Sequence, residues 1–539
     1  MKKIIFSLVM IAFTLSSCES FLEENPKGRL TPDVMYNDAN GLNMAINGLY
    51  NRFMETQRVD RRHIYMWSGD DVTSKNTGNK TRMAEYDRFY FTSLNEELVD
   101  LWNVLWACIK PCNNIIANGE SMDIDPTFLQ HRLGQAYFIR ALTYFYLVRL
   151  WGRIPLVTEV EIDYTTPRAS VEEVYALIEA DLDKAEAYLP DRHTSTSAIA
   201  PYFRDGINLA PNKAAAKALR ASVWMTQAGW PLEKGTSYYD MAAGKYKEII
   251  DREAEYGYIL EPDIWTLVIH PRSNFSREIV FGCFLQQNNG FDHGYREIPE
   301  ESSGWSDIMP QLDLFYDFPE GPRKDAYFNQ KVFIGSGTTG VCVPWDDLAT
   351  MEMHPYFKKN ILNETWITRG FNLETGDWNM DGFSQNGKTR YVFRYADILL
   401  LYAEAVAFGS GFENASEKAL AFNCVERVQT RAGVPDDRKI NTGMTKAEFQ
   451  KAVLDERRWE TCGFEISAMG RFFTMQRHKI LHLQGAYRIW NPNDPERRDI
   501  SKVDIFDSAL NPNLTLSEEY YYMPIPASEL MIVPDLNDR

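Results

Sequence analysis

Arg140-Ala-Leu-Thr-Tyr-Phe-Tyr-Leu-Val-Arg-Leu-Trp-Gly-Arg-Ile-Pro-Leu-Val157 is the stretch whose reading decides the fold. It closes a segment, Thr127 to Trp151, whose pattern predicts one long helix. From Ala136 onward apolar residues occupy most of the helix circumference. A surface helix carries an apolar stripe; a helix apolar all round is enclosed on every side. This segment is therefore expected at the centre of the molecule with other helices packed around it. Gly152 supplies a C-terminal cap and Pro155 prevents continuation. Arg140 and Arg149, inside the helix, are expected to be buried structural partners of carboxylates such as Glu404.

Outward from this centre the helical pattern recurs. Thr31 to Glu55 reads as a helix, with Leu42, Ile46, Leu49, Tyr50 and Phe53 on one face. Glu96 to Gly119 and Val171 to Leu189 are amphipathic in the same way. Asn212 to Ala228, rich in alanine, is followed by an amphipathic partner, Tyr239 to Arg252. Arg394 to Phe408 and Ala415 to Ala432 repeat that arrangement. Both pairs look like tetratricopeptide units with a degenerate consensus, and each leaves an apolar face that only a neighbouring pair covers. The pairs are expected to stack into one helical scaffold, about 31–254 and 391–485. Residues 58–94 lose periodicity and read as loop. The segment 255–390 collects Gly, Pro, Asn and Trp, with short β-like runs at Glu278–Phe281 and Lys331–Ile334. The fold class is thus mostly α: a helical scaffold carrying one large irregular, loop-rich excursion.

The chain has 539 residues, 45% hydrophobic and 24% charged, with a formal net charge of −18. That balance excludes an ordinary nucleic-acid binder, which carries a basic surface. The 7 cysteines form no disulfide framework in a chain of this size. Cys108 and Cys112 read as buried small residues. At the amino terminus Lys2 and Lys3 precede the apolar run Ile4 to Leu15, and Leu15-Ser-Ser-Cys18 follows. This is a secretory signal over residues 1–17, too short to cross a bilayer. Its end resembles the bacterial lipobox, so residues 18–539 are expected as the mature protein, lipidated on Cys18. One acyl chain holds marginally and two or more hold durably, at about 0.8 kcal/mol per buried CH₂. Membrane contact is then through the lipid alone.

Three motifs suggest chemistry that their context does not support. Gly335-Ser-Gly-Thr-Thr-Gly340 matches a dinucleotide fingerprint, but Val-Cys-Val-Pro344 follows where a helix must open. His478 and His482 have metal-ligand spacing, yet Lys479 stands where a zinc protease has its glutamate. Asp377-Trp-Asn-Met-Asp-Gly382 copies half a calcium loop, but Lys388 stands at the twelfth position in place of the bidentate glutamate. No catalytic set, cofactor or metal is predicted; the Asp377 turn is the one place where a weak structural calcium would fit.

With these readings in place, the Arg140–Val157 stretch resembles the R-A-x-x-Y-F-x-L-V-R-x-(Y/W)-G-x-(I/V)-P-L signature of the SusD/RagB family of Bacteroidetes outer-membrane lipoproteins. Other stretches agree in order: Cys18 followed by Phe21-Leu22 and Pro26, the Tyr50 helix, Asn113-Asn-Ile-Ile116, and Arg394-Tyr-Ala-Asp-Ile-Leu-Leu-Leu-Tyr-Ala-Glu-Ala405. So do Glu456-Arg-Arg-Trp-Glu460 with Gly463-Phe-Glu465, and Pro524-Ile-Pro526 with Glu529 and Pro534. The resemblance implies a mostly α, single domain of about four tetratricopeptide-like helical hairpins packed against a loop-rich, irregular half. It implies a non-catalytic, cell-surface lipoprotein that binds oligosaccharide. It also implies a partner, a SusC-like TonB-dependent transporter over which the protein acts as a lid. Peptide cargo, a lipoprotein glycan hydrolase and a helical-repeat adaptor without small ligand are the alternative readings.

Sugar sites in such proteins use aromatic side chains from the loop after the first helix and from the irregular middle region. Here those are Trp67, with Asp70, Asp71 and Asn76 nearby, and Tyr295 and Trp305. An aromatic among Gly and polar neighbours is not covered by its own segment. Trp67, Tyr295 and Trp305 are expected as an apolar platform, with Asp70, Asp71 and Asn76 supplying hydrogen bonds. For each ring the competing reading is a loop anchor packed on the helical body. Trp230 and Trp345, beside prolines, are weaker candidates.

Overall fold

The structure is a computed structural model and describes residues 35–57, 63–76, 78–161, 163, 165–193, 203–204, 207–208, 210–269, 272–283, 294–302, 304–335, 340–347, 354–359, 388–463, 467–481 and 518–537. Its centre is the helix anticipated from the opening stretch. The first helix, α1 (Ala39–Thr56), is capped by Asp38, whose Oδ1 accepts the Gly41 amide at 2.8 Å. Residues 31–34, where the predicted helix begins, lie outside the described residues.

The predicted loop over 58–94 contains a helix, α2 (Thr81–Asp87), which corrects that expectation. It buries Met83, Ala84 and Tyr86 and stacks Tyr86 on Phe91 with centroids 4.6 Å apart. Tertiary contact, not an amphipathic repeat, holds so short a helix. The next helix, α3 (Glu96–Gly119), starts at the bound predicted because Asn95 Oδ1 accepts the amides of Glu97 and Leu98. In α4 (Pro126–Trp151) every residue from Arg132 to Trp151 is buried. It ends at Gly152, whose φ of +68° is open to glycine at little cost.

Further helices pack in sequence. These are α5 (Val171–Tyr188), with a Ser170–Glu173 capping box, α6 (Lys213–Ala228) and α7 (Thr236–Ile250). The alanines of α6 let α7 approach closely, and Ser222 Oγ meets Tyr246 Oη at 2.8 Å. The frame then continues across the irregular region. Helix α7 packs directly on the helix Tyr395–Phe408, which in turn packs on Ala415–Ala432 and Lys446–Thr461.

Strands among the described residues form only two-stranded antiparallel ribbons. One of them, Ile279–Cys283 with Arg390–Arg394, joins the beginning and the end of the irregular segment and delivers the chain into the Tyr395–Phe408 helix. Gly335 and Gly340 lie between two paired strands, Lys331–Ile334 and Val341–Pro344. A strand on each side of the motif is not the strand followed by a helix that a dinucleotide requires.

Buried ion pairs tie the two halves together. Arg323 contacts Glu456 at 2.5 Å and Glu460 at 2.8 Å. Arg394 reaches Glu278 at 3.2 Å and Glu460 at 2.9 Å, and Arg431 pairs with both acids. Arg140 is buried and paired as expected, though with Asp181, at 2.8 and 2.7 Å. Arg149 departs from expectation because it meets no carboxylate among the described residues. It lies 3.5 Å from the Phe145 ring and 3.7 Å from that of Phe473, and donates to the Phe145 and Ala468 carbonyls. Glu404 instead takes Arg457, Arg477 and His478. His478 is thus structural, while His482 and the Asp377–Gly382 turn lie outside the described residues. Cys108 and Cys112 are buried and unbridged.

Candidate ligand-binding site

The loop after α1 and the middle segment, more than two hundred residues apart, meet along one seam. Val72 pairs with Pro310 and Thr73 with Met309. Gln311 Nε2 donates to the carbonyls of Gly69 and Val72, both at 3.2 Å, and its amide donates to Asp71 O at 3.1 Å. The Trp67 indole N–H reaches the Asp307 carbonyl at 3.4 Å. Lys80 pairs with Glu300, and Lys75 lies 3.7 Å from the same carboxylate.

Above the seam a tight turn presents Trp305. Ser306 has φ +48°, a region a non-glycine residue seldom adopts. The turn is held by Ser306 N–H to Ile298 O at 2.9 Å and Asp307 N–H to Arg296 O at 2.7 Å. A Cβ on Gly304 would lie 2.2 Å from Ile298 O, so only glycine fits. Trp305 is 41% exposed. Arg296 stands 5.4 Å from its ring centroid and is fixed by Asp307 at 2.8 Å. On the first loop Tyr90, also 41% exposed, donates to Asn76 Oδ1 at 3.3 Å. Asn76 is exposed.

Beneath the seam lie the two aspartates. Asp70 accepts from Arg471 at 2.6 and 2.8 Å, with Arg458 3.3 Å away. Burial would raise its pKa, but the two guanidiniums more than offset this and hold the carboxyl well below the usual range. Asp71 accepts the Gly463 amide at 3.0 Å. Burial first, and the neighbouring Asp70 charge second, push its carboxyl up to about 6.

The expected set therefore divides. Asn76 and Trp305 are at the surface, on segments the seam brings together. Trp67 is 0% exposed and anchors the seam from below, so its expected place in an exposed platform is corrected. Asp70 and Asp71 are likewise occupied beneath the surface by Arg458, Arg471 and Gly463. Tyr295 belongs to the single helical turn Gly294–Glu297, and its side chain lies outside the described residues. Trp230 and Trp345 are buried. Tyr90 and Arg296 join the site without having been expected there. Tyr90 had no local signal: the chain turns at Phe89, whose φ is +54°, and this turn leaves the Tyr90 ring outside while Phe89 is buried. An exposed indole, a phenol and an amide on a rigid base suit a sugar, whose C–H face stacks on aromatics and whose hydroxyls take hydrogen bonds.

Two family models match the sequence. One, described as the SusD family, covers residues 352–538. The other, described as starch-binding associating with outer membrane, covers residues 20–224. The chain belongs to the SusD/RagB family. SusD-like protein P2 of Formosa agariphila is 26% identical over 98% of each chain. The SusD fold is matched by a solved SusD superfamily protein from Parabacteroides distasonis, with TM-score 0.69 and 21% identity over 94% of this chain and 98% of that one. A further solved structure, described as being with xylogluco-oligosaccharide, has TM-score 0.66 and 18% identity over 92% and 98% of the two chains. Among the described residues of this SusD-family chain no helix is long and apolar enough to cross a membrane, and no group of three or more metal-binding side chains occurs.

Proposed function

We propose that the protein is a surface lipoprotein that binds an oligosaccharide on the Trp305–Tyr90–Asn76 surface and delivers it, without cleaving it, to a TonB-dependent barrel that it covers as a lid. The observation that carries this reading is the seam: it fixes two exposed aromatics and an amide on a rigid base. The description of the 20–224 family model and the relative solved with xylogluco-oligosaccharide support a glycan as cargo. The Leu15–Cys18 motif supports lipidation at Cys18, which lies outside the described residues. A shallow surface of this kind binds weakly, roughly −4 to −6 kcal/mol, or a Kd of tens of micromolar to about millimolar.

Calorimetric titration with a panel of plant and algal oligosaccharides, xylogluco-oligosaccharides among them, tests the reading. Trp305→Ala should weaken binding of the best ligand by at least about tenfold, the equivalent of losing ~1.4 kcal/mol of ring contact. Tyr90→Ala should weaken it less. Unchanged affinity in both variants would remove the site, and new reducing ends on incubation would remove the non-catalytic reading.

A further inference from the structure

A second concavity, lined by none of the seam residues, lies where α3 meets the segment that follows α4 and the C-terminal helix Ala527–Ile532. It is a half-open space of about 180 Å³, below the ~300–1,000 Å³ of pockets that bury a drug-sized ligand. That is the size of one small ring, not of a chain. Its floor is the indole pair Trp102 and Trp106, with centroids 5.5 Å apart and planes tilted by 56°. Pro155, Val157 and Leu536 form the walls, and Asn103, Lys110, Glu159 and Glu529 stand at the rim.

These walls are held from the core. Arg140, clamped by Asp181, donates to Asn113 Oδ1 at 3.0 Å, and Asn113 Nδ2 donates in turn to the carbonyls of Val157 at 2.9 Å and Glu159 at 3.0 Å. The Tyr144 hydroxyl accepts the Val157 amide at 2.9 Å. On the other side Trp151 donates to Pro524 O and Arg168 to Leu536 O, both at 3.0 Å. The concavity is thus preformed, so a ligand entering it orders little. The Trp106 indole N–H has no acceptor among the described residues, which is uncommon for an enclosed donor.

We propose that this cleft is a second carbohydrate subsite that takes a single neutral pyranose unit. A pyranose has one C–H face, which an indole accepts, and a rim of hydroxyls that exchange hydrogen bonds with carboxylates, amides and ammonium groups. Apolar floor and polar rim have that arrangement here. The inference rests on the reading that the chain binds glycans, but it uses none of the seam residues, so the two stand or fall separately.

The test is ¹⁹F NMR of the soluble mature chain, from residue 19, labelled with 5-fluorotryptophan at its 13 tryptophans. Trp106→Phe identifies the resonance of interest. The methyl β-pyranosides of D-glucose, D-galactose and D-xylose, and methyl α-D-mannopyranoside, are titrated to about 100 mM, which reaches Kd values in the millimolar range. At least one should shift the Trp106 resonance saturably. Trp305→Ala should leave that shift intact, and Val533→Trp, which fills the cleft from its wall, should abolish it at an unchanged melting temperature. No saturable shift with any of the four, or a shift lost in Trp305→Ala, overturns the subsite. If Val533→Trp does not fold, Glu529→Gln serves instead, with an affinity at least twofold weaker expected and an unchanged one counting against the site.

Discussion

Asp71 lies at the base of the seam with its carboxyl buried beside a second carboxylate, and its pKa of about 6 has a measurable consequence. An unfolded aspartate titrates near ~3.9, so the folded protein binds this proton more tightly than the unfolded chain does. Its contribution to stability is therefore fully present below about pH 4 and lost as pH rises through 6. At pH 8 the charged form opposes folding by up to about 3 kcal/mol, because each tenfold change in proton affinity is worth ~1.36 kcal/mol. Asp71→Asn keeps an acceptor for the Gly463 amide and removes the charge. Thermal unfolding should show the variant more stable than the parent at pH 8 and the difference shrinking to nothing near pH 4. A constant difference across that range would contradict the assignment. At the same scale Trp67 teaches what a single sequence hides. Its neighbours Gly, Ser and Asp suggest an exposed ring, but its acceptor, Asp307, stands 240 residues away, and no local pattern encodes that meeting. Trp305 is easier to place because Gly304 and Ser306 shape an outward turn in the residues beside it.

Among elements, helices with strong caps are readable to within a residue or two. Asn95, Asn212 and Asn414 each accept amides of the first turn, and Gly152 and Gly433 end α4 and the Ala415–Ala432 helix in conformations that glycine adopts readily. Helix α2 escapes because its buried Met83, Ala84 and Tyr86 are bunched and face the turn Ile64–Ser68, not an apolar stripe of their own. In sequence the Glu456-Arg-Arg-Trp-Glu460 stretch is informative only through the family resemblance, and the fold supplies its physical reason. Glu456 and Glu460, one helical turn apart, face inward together, where Arg323 reaches both and Arg394 and Arg431 meet Glu460. Removing one acid from such a network leaves buried guanidinium charge uncompensated. Glu460→Ala should cost about 3–5 kcal/mol in urea unfolding, against about 1 kcal/mol for loss of the exposed Ser170 cap of α5. Equal costs would mean that the network is not what joins the irregular half to the helices.

For the molecule as a whole, the helical frame is one continuous stack interrupted in sequence but not in space. Helix α7 meets the Tyr395–Phe408 helix as a direct neighbour, and the ribbon Ile279–Cys283 with Arg390–Arg394 closes the excursion at its base. The excursion can therefore carry recognition residues without disturbing the frame, which is the arrangement expected where loops on a rigid scaffold do the binding. In the proposed function the whole body is held at a lipid surface through Cys18. Cys18→Ser, expressed without its transporter, should move from the membrane to the soluble fraction, since the proposal includes no other anchor. Retention of the variant in membranes would demand one.

The measurement that bears most directly on all of this is a crystal structure of the mature chain with the tightest-binding oligosaccharide from the titrations. The expected result is an intact ligand with a sugar ring stacked on Trp305 and hydroxyls within hydrogen-bond reach of Tyr90 and Asn76. An oligosaccharide seated elsewhere with the Trp305 face left bare, or one cleaved in the crystal, would contradict the proposed function.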